Sequence, residues 1–307
     1  MQLYFAPLEG ITDSIYRRLH HRYFPGVDRY YMPFFSPTMH RCLTKKEDRE
    51  LPFADRENFV AIPQVMTKNA EDFLWAAHQC AERGYREVNL NAGCPSGTVV
   101  SKGKGSGMLA DPDALSRFLD QVFSSNPLPI SVKTRLGLKS SEEFPKLLEI
   151  FNRYPIRELT IHPRVRTDFY KPPVQLEQFT YALDNTNLPL CYNGDIKNLA
   201  DLQKMQELFP QVDAFMIGRG LVGDPGMLSP GGTDVKVLKQ FHNHLLEEYS
   251  ICFGSTRNAM FRMKENWHYL SLHFDGGEKL FKNLRKTTDI SEYQQITTEI
   301  FRNLPHI

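Results

Sequence analysis

The sequence predicts an α/β fold, a (β/α)8 TIM barrel followed by a small all-α helical bundle domain. Eight short apolar runs bounded by Gly, Pro, Asn or Asp occur in the first 232 residues, and helix-compatible segments separate most of them. Most runs are continuously apolar, which is typical of parallel strands covered on both faces. A doubly wound open sheet is the alternative, but eight alternations fit the usual barrel size of about 250 residues better.

The predicted strands comprise residues 3–7, 29–33, 59–65, 87–91, 130–135, 158–162, 190–193 and 214–217. Helices are predicted over residues 69–83, from Asp111-Pro112 onward, and over 142–153 and 199–208, from caps and from apolar spacing of three and four. Residues 34–58 show no clear helix and are rich in proline and charge.

The character of the sequence changes after Pro230-Gly231-Gly232. Four amphipathic helices are predicted beyond this point, over residues 235–253, 256–273, 278–286 and 291–303, because glycines break the pattern between them. We therefore expect a barrel domain over residues 1–232 and a helical domain over residues 233–307.

The composition is that of an ordinary globular protein, with 41% hydrophobic and 24% charged residues. The net charge of +1 argues against a broadly basic nucleic-acid-binding surface, but no acidic residue occurs in 88–110 or 131–141, where basic residues gather. No apolar run is long enough for a membrane span and the start lacks a signal-peptide pattern, so a cytoplasmic location is expected. The protein is also expected to be a monomer. The five cysteines form no CxxC pair, which argues against a zinc site.

The predicted strand ends carry the candidate chemistry, because barrel active sites lie at the carboxyl ends of the strands. Asn193-Gly194-Asp195 and Gly218-Arg219-Gly220 follow the seventh and eighth strands, where barrels place phosphate groups against backbone N–H groups. A purely structural role as turns is an equally weighted alternative to phosphate binding for these two segments.

Lys133 ends an apolar run, and it either reaches solvent from the strand end or sets a cation against an anionic cofactor ring. His162 invites the same comparison between a hydrogen-bonded structural residue and a site residue. Cys94 lies in a Gly-Cys-Pro turn after a strand, where a thiol can act as nucleophile or proton donor. The glycine-rich residues 101–107 that follow resemble a flexible lid.

Five motifs in order resemble the flavin-dependent tRNA-dihydrouridine synthase family. They are Ala6-Pro7-Leu8-Glu9-Gly10, Asn89-x-Asn91-x-Gly93-Cys94-Pro95-Ser96, Ser131-Val132-Lys133-Thr134-Arg135-Leu136-Gly137, Asn193-Gly194-Asp195-Ile196 and Met216-Ile217-Gly218-Arg219-Gly220. The sequence departs from the family at Gly97, where lysine is common, and in residues 162–168.

The resemblance implies a barrel that binds FMN at its mouth, with no metal, and a helical RNA-binding domain. NADPH would reduce the flavin, N5 would deliver hydride to uracil C6 in tRNA, and Cys94 would protonate C5. The implied cofactor-binding residues are Pro7, Leu8, Glu9, Gln64, Lys133, His162, Asn193, Gly194, Asp195, Gly218 and Arg219. The candidate substrate and RNA contacts are Asn89, Asn91, Lys102, Lys104, Arg135 and Arg164.

Two other functions are considered. An FMN barrel that acts on a free pyrimidine, as dihydroorotate dehydrogenases do, would use nearly the reverse chemistry, but it does not require the helical extension or the basic loops. A catalytically inactive RNA-binding barrel is the second alternative, against which Cys94 and Lys133 argue.

Overall fold

The computed structural model describes residues 1–306. Nine parallel strands form one sheet in the order β3-β2-β1-β9-β8-β7-β6-β5-β4. The strands are β1 (Gln2–Phe5), β2 (Arg29–Tyr31), β3 (Val60–Ile62), β4 (Gln64–Val65), β5 (Val88–Ala92), β6 (Ile130–Arg135), β7 (Leu159–His162), β8 (Leu190–Tyr192) and β9 (Ala214–Ile217). All eight predicted strands are confirmed, and the third is divided in two.

Pro63 divides that third strand into β3 and β4, which stand at the two ends of the sheet order. Proline has no N–H to donate to a neighbouring strand, so the ladder breaks there. The Pro63 carbonyl still accepts from the backbone N–H of Asn89 at 2.8 Å. The sheet is therefore a nearly closed barrel, and the carboxyl ends of all its strands lie on one side.

Thirteen helices occur in the described residues. They are α1 (Ser14–Tyr23), α2 (Lys45–Glu50), α3 (Ala70–Glu82), α4 (Gly97–Val100), α5 (Pro112–Ser125), α6 (Phe144–Phe151), α7 (Leu176–Asn185), α8 (Leu199–Leu208), α9 (Arg219–Gly223), α10 (Val235–Phe253), α11 (Thr256–Leu270), α12 (Glu278–Lys286) and α13 (Ile290–Asn303). Short 3-10 helices span Ala54–Arg56, Gly105–Ala110, Ser141–Glu143, Arg166–Asp168 and Ser271–His273.

Local signals explain where these helices begin and end. The Asn69 side chain accepts from the N–H of Asp72 and caps α3, while Asp111 caps α5 ahead of Pro112. Helix α2 corrects the expectation that residues 34–58 contain no helix. A capping box between Thr44 and Glu47 begins this helix, but none of its residues is buried, so it has no apolar pattern to reveal it.

The chain divides into two compact units. The first contains residues 1–7, 28–195 and 206–216, and the second contains residues 8–27, 196–205 and the described residues from 217 onward. The boundary expected at residue 232 stays a prediction. Among residues 1–306 no helix has the length and apolar character needed to cross a membrane.

A buried polar triad lies in the helical core of the second unit. Helix α10 packs against α1 and α11, and α11 packs against α13. Within this core, Nε2 of His242 lies 2.8 Å from the Tyr293 hydroxyl, to which Nε1 of Trp267 also donates at 3.0 Å. Desolvation lowers the pKa of His242 to about 4, so this imidazole stays neutral in the folded protein at neutral pH.

We predict that the second unit loses stability on acidification. His242 takes up a proton near pH 6.5 when unfolded but only near pH 4 when folded, so its contribution is complete above pH 6.5 and declines toward pH 4. A shift of this size corresponds to about 3 kcal/mol. Urea unfolding at pH 7 and pH 5 should show a smaller pH dependence for H242Q than for the wild type. The exposed His268 provides the control, since H268Q should behave as the wild type, and an unchanged pH dependence in H242Q would contradict the assignment.

Candidate functional site

The parallel register of the sheet brings the predicted site residues of the first unit together. Asn91 on β5 pairs with Lys133 on β6, and Arg135 on β6 pairs with His162 on β7. These residues lie at the carboxyl ends of their strands, where the backbone leaves the sheet. The register therefore places them side by side at one end of the barrel.

A chain of three side-chain amides positions the turn that carries Cys94. Gln64 donates from Nε2 to Oδ1 of Asn89 at 2.7 Å, and Asn91 donates from Nδ2 to Oε1 of Gln64 at 2.7 Å. Oδ1 of Asn91 then accepts the backbone N–H groups of Gly93 at 3.1 Å and Cys94 at 2.9 Å. All three amides are buried, so removing one of them would leave a neighbouring polar group without a hydrogen bond and would lower the stability of the fold.

The same hydrogen-bonded chain continues into the barrel interior through Asn89. Nδ2 of Asn89 donates to Oγ of Ser131 at 2.9 Å, and Ser131 donates to Oε1 of Glu87 at 2.6 Å. Glu87 forms an ion pair with Arg157 at 2.8 Å. Asn89 is fully buried and bonded to protein groups in this structure, and its predicted contact with substrate or RNA stays a prediction.

Cys94 is partly buried and is held from a second direction by residues 105 and 106. The Cys94 carbonyl accepts from both the N–H of Ser106 at 3.1 Å and the Ser106 hydroxyl at 2.8 Å. A Cβ added at Gly105 would lie 2.9 Å from Cβ of Cys94. Residues 105 and 106 of the predicted lid thus pack closely against Cys94, which the glycine at 105 permits, and the flexibility of residues 101–107 stays a prediction.

Lys133 is half-buried at the site and desolvated, which favours the second of the two roles considered for it. Its ammonium donates to Oδ1 of Asn193 at 2.6 Å, and Asn193 donates from Nδ2 to the Met216 carbonyl at 2.7 Å. Desolvation, with a smaller effect from Arg135, lowers the pKa of Lys133 to about 8. Within the described chain no carboxylate pairs with Lys133, so the cation can accept an external anion.

Arg135 and Arg164 are internal residues in this structure, and their predicted contact with RNA stays a prediction. Arg135 donates to the carbonyls of Gly93, Val165 and Phe169 at 2.8 to 3.1 Å. Both side chains are about 1% exposed, and protein acceptors hold their guanidinium groups.

Arg164 links His162 to Asp195 on the neighbouring strand end. Its guanidinium contacts both Asp195 carboxylate oxygens, at 2.5 and 3.1 Å, and its NH1 lies 3.0 Å from Nε2 of His162. The Asp195 carboxylate is thereby compensated inside the protein. A positive φ of 45° at Asp195 turns the backbone sharply after Gly194. Gly194 has no room for a side chain, because an added Cβ would lie 2.7 Å from Cγ1 of Val174.

The predicted cofactor or RNA contacts of the remaining residues stay predictions. Pro7 ends the first segment of unit 1, and Leu8, Glu9, Gly218 and Arg219 belong to the second unit, where Arg219 begins the five-residue helix α9. Lys102 is exposed and Lys104 is half-buried in the loop after α4. Among the described residues no group of three or more metal-binding side chains could hold a metal ion.

A basic helix in the second unit was missed by the sequence analysis. Helix α12 exposes Lys279, Lys282, Arg285 and Lys286, and Glu278 is its one acidic residue. The balanced charge of residues 233–307 as a whole hides this concentration. A charge count restricted to each predicted helix would have found it.

Substituting Gly105 should disturb the Cys94 turn. The added Cβ of G105A would meet both Cβ and the carbonyl oxygen of Cys94 at 2.9 Å, and the φ of 57° disfavours alanine as well. We expect a loss of about 1–3 kcal/mol of stability and faster alkylation of Cys94, measured by peptide-level mass spectrometry. Gly276, with a φ of 72° and open space around it, provides the control for backbone strain alone. Cys94 should be alkylated at the wild-type rate in G276A. If it is also alkylated at the wild-type rate in G105A, the packing argument fails.

Comparison with known proteins identifies the family of the chain. A family model described as dihydrouridine synthase (Dus) matches residues 4–301. The chain is 28% identical over 225 residues to tRNA-dihydrouridine synthase B of Pasteurella multocida, covering 73% of this chain and 67% of that protein. It is 25% identical over 306 aligned residues to probable tRNA-dihydrouridine synthase 1 of Synechocystis sp., covering 94% of this chain and 82% of that protein.

Among solved structures, the chain resembles that of morphinone reductase in complex with tetrahydroNAD in fold. The TM-score is 0.53 at 10% identity, and the match covers 74% of this chain and 85% of that protein. The family model covers nearly the whole chain, and it agrees with the motifs at the strand ends. The chain therefore belongs to the dihydrouridine synthase family.

Proposed function

We propose that this protein is an FMN-dependent tRNA-dihydrouridine synthase that uses NADPH to reduce the 5,6 double bond of specific uridines. The observation that carries the proposal is the juxtaposition of the anchored Cys94 turn and the desolvated Lys133 at adjacent strand ends. Family membership and the names of the relatives support tRNA as the substrate.

The first unit fits an anionic flavin in the chemistry of its donors. Lys133 offers a cation with one hydrogen bond, to the Asn193 side chain, so two of its three N–H groups are available. A positive charge in such a desolvated position stabilises a negative ring more strongly than an exposed lysine does. The other proposed cofactor residues of this unit are Pro7, Gln64, His162, Asn193, Gly194 and Asp195.

Cys94 is the proposed proton donor. When bound and reduced by NADPH, FMN would supply the hydride that adds at uracil C6. The Cys94 thiol gives its proton to C5 and regains a proton from water. The hydrogen bonds from Gly93 and Cys94 to Asn91 hold the turn in place, so the thiol needs little reorganisation before the proton transfer.

Exposed cations provide the proposed RNA contacts. Lys102 lies in the loop after α4 on the first unit, and α12 presents four exposed cations on the second. Phosphate contacts of this kind release counterions and give salt-dependent binding. The target uridine must leave its stack to reach Cys94, which costs a few kcal/mol.

The decisive test is C94A assayed with unmodified tRNA transcript, NADPH and FMN. We expect the variant to retain flavin and to lose uridine reduction by about 100-fold or more, because proton transfer by a positioned acid contributes about 10²–10⁴-fold. Dihydrouridine formation and flavin absorbance are the two measurements. C42A, which removes an exposed cysteine, is the matched control.

Three results would count against the proposal. Near-normal turnover by C94A removes the proton donor. Turnover of dihydroorotate without RNA reduction favours the free-pyrimidine enzyme. A wild-type protein that binds tRNA without flavin favours the inactive barrel.

Replacing Lys133 should lower the reduction potential of the bound flavin. K133M removes the cation that favours the anionic reduced form, while K133R retains the charge and should restore part of the effect. Potentiometric titration of the flavin measures the change. K139M is the control because Lys139 is exposed on the loop after β6. Equal potentials for wild type and K133M would remove Lys133 from the proposed flavin site.

A further inference from the structure

We propose that the exposed ring of Phe169, in the loop after β7, stacks on a nucleobase next to the target uridine in the RNA. This inference rests on the proposed function and adds a substrate-positioning residue to it. The proposal depends on the backbone geometry of Phe169, on the arginine beneath its ring and on the connection of that arginine to the Cys94 turn.

The backbone of Phe169 is strained in a way that packing does not explain. Its φ is 49° and its ψ is −98°, a combination that bulky residues rarely adopt. Hydrogen bonds hold the conformation, since Arg135 donates to the Phe169 carbonyl at 2.8 Å and the Phe169 N–H donates to the Arg166 carbonyl at 3.2 Å. The residue remains 42% exposed. A strained backbone thus coincides with an exposed apolar residue, and such outliers cluster at functional sites.

Arg166 connects this ring to the Cys94 turn. Its guanidinium carbon lies 5.1 Å from the centre of the Phe169 ring, and its Nε donates at 3.2 Å to the carbonyl of Pro95, the residue after Cys94. One side chain thus touches both the aromatic ring and the turn of the proposed proton donor. A base stacked on Phe169 would lie close to a uridine presented to Cys94.

The open face of the Phe169 ring fits an unpaired base. The neighbouring ring of Tyr170 already has Arg135 at 5.3 Å and His162 at 5.8 Å, whereas within residues 1–306 no other aromatic ring contacts Phe169. The partly exposed rings of Phe169 and Tyr170 offer too little apolar area for a protein partner, since a stable protein–protein interface buries about 1,000 Å² or more. Arginine beside an exposed ring is a common platform for single-stranded nucleic acid.

The test begins with the wild-type protein and an unmodified tRNA transcript, in which the reduced uridine is mapped. We expect F169L to lower kcat/KM for this transcript by roughly ten- to hundredfold, chiefly through KM, since stacking on an aromatic side chain contributes at that scale. Reduction of bound flavin by NADPH should be unchanged. F169W should restore activity because it retains a ring.

F53L is the matched control. Phe53 is 46% exposed and has Arg56 and Arg83 each 5.4 Å from its ring, but it precedes β3 and so lies at the opposite ends of the strands. F53L should reduce the transcript at the wild-type rate. If F53L and F169L are equally impaired, loss of any exposed ring explains the result and the proposal is wrong.

A second measurement uses synthetic tRNA with an abasic site on either side of the mapped uridine. At one of the two positions, the abasic site should lower kcat/KM of the wild type as much as the F169L substitution lowers it on intact tRNA. The same abasic site should cause no further loss in F169L. Additive losses, or wild-type kinetics for F169L on intact tRNA, would overturn the inference while leaving the proposed function intact. If the wild type reduces no uridine at all, the proposed function fails and this inference fails with it.

Discussion

The geometry of the site depends on the amide of Gln64, which joins two strands of the barrel through hydrogen bonds to Asn89 and Asn91. Gln64 begins β4 directly after Pro63, and the register pairs it with Asn89. Each buried amide satisfies the next, so removing one leaves an unsatisfied group that costs about 1–3 kcal/mol. The last amide in the chain, Asn91, receives the N–H of Cys94. The position of the proposed proton donor is therefore set by strand pairing inside the barrel.

The cations at the strand ends fall into two groups that differ in their hydrogen-bond partners. Arg135 and Arg164 are buried and saturated by protein acceptors, so they brace the loop after β7 against the turns of Cys94 and Asp195. Lys133 is also desolvated, but its one hydrogen bond goes to a neutral amide. A desolvated cation with a single hydrogen bond is costly, and a bound anion would offset that cost, whereas each arginine donates at least three hydrogen bonds to protein acceptors. This difference in pairing separates the residue suited to a cofactor from the two that maintain the structure.

Close packing supports both proposals. Gly105 allows residues 105 and 106 to approach Cys94, so the glycine-rich stretch is held by hydrogen bonds where flexibility was expected. Phe169 adopts a positive φ, and Arg135 on β6 donates a hydrogen bond to its carbonyl. Backbone groups held before substrate arrives lose less entropy when an RNA base docks. The loops of the first unit thus hold the backbone of Cys94 and Phe169 through hydrogen bonds.

The sequence by itself determined the strands, the C-terminal helices and the family, because each depends on residues close together in the chain. Continuous apolar runs indicate the strands, helical spacing indicates the helices, and short motifs indicate the family. The run from Ile130 to Arg135 and the helix from Val235 to Phe253 match their predicted bounds. Only the tertiary structure decided that Asn89 and Arg164 are internal, and that Ser106 binds the Cys94 carbonyl. Partners such as Asp195 for Arg164 lie 31 positions apart in sequence, and no local pattern specifies which distant groups will meet.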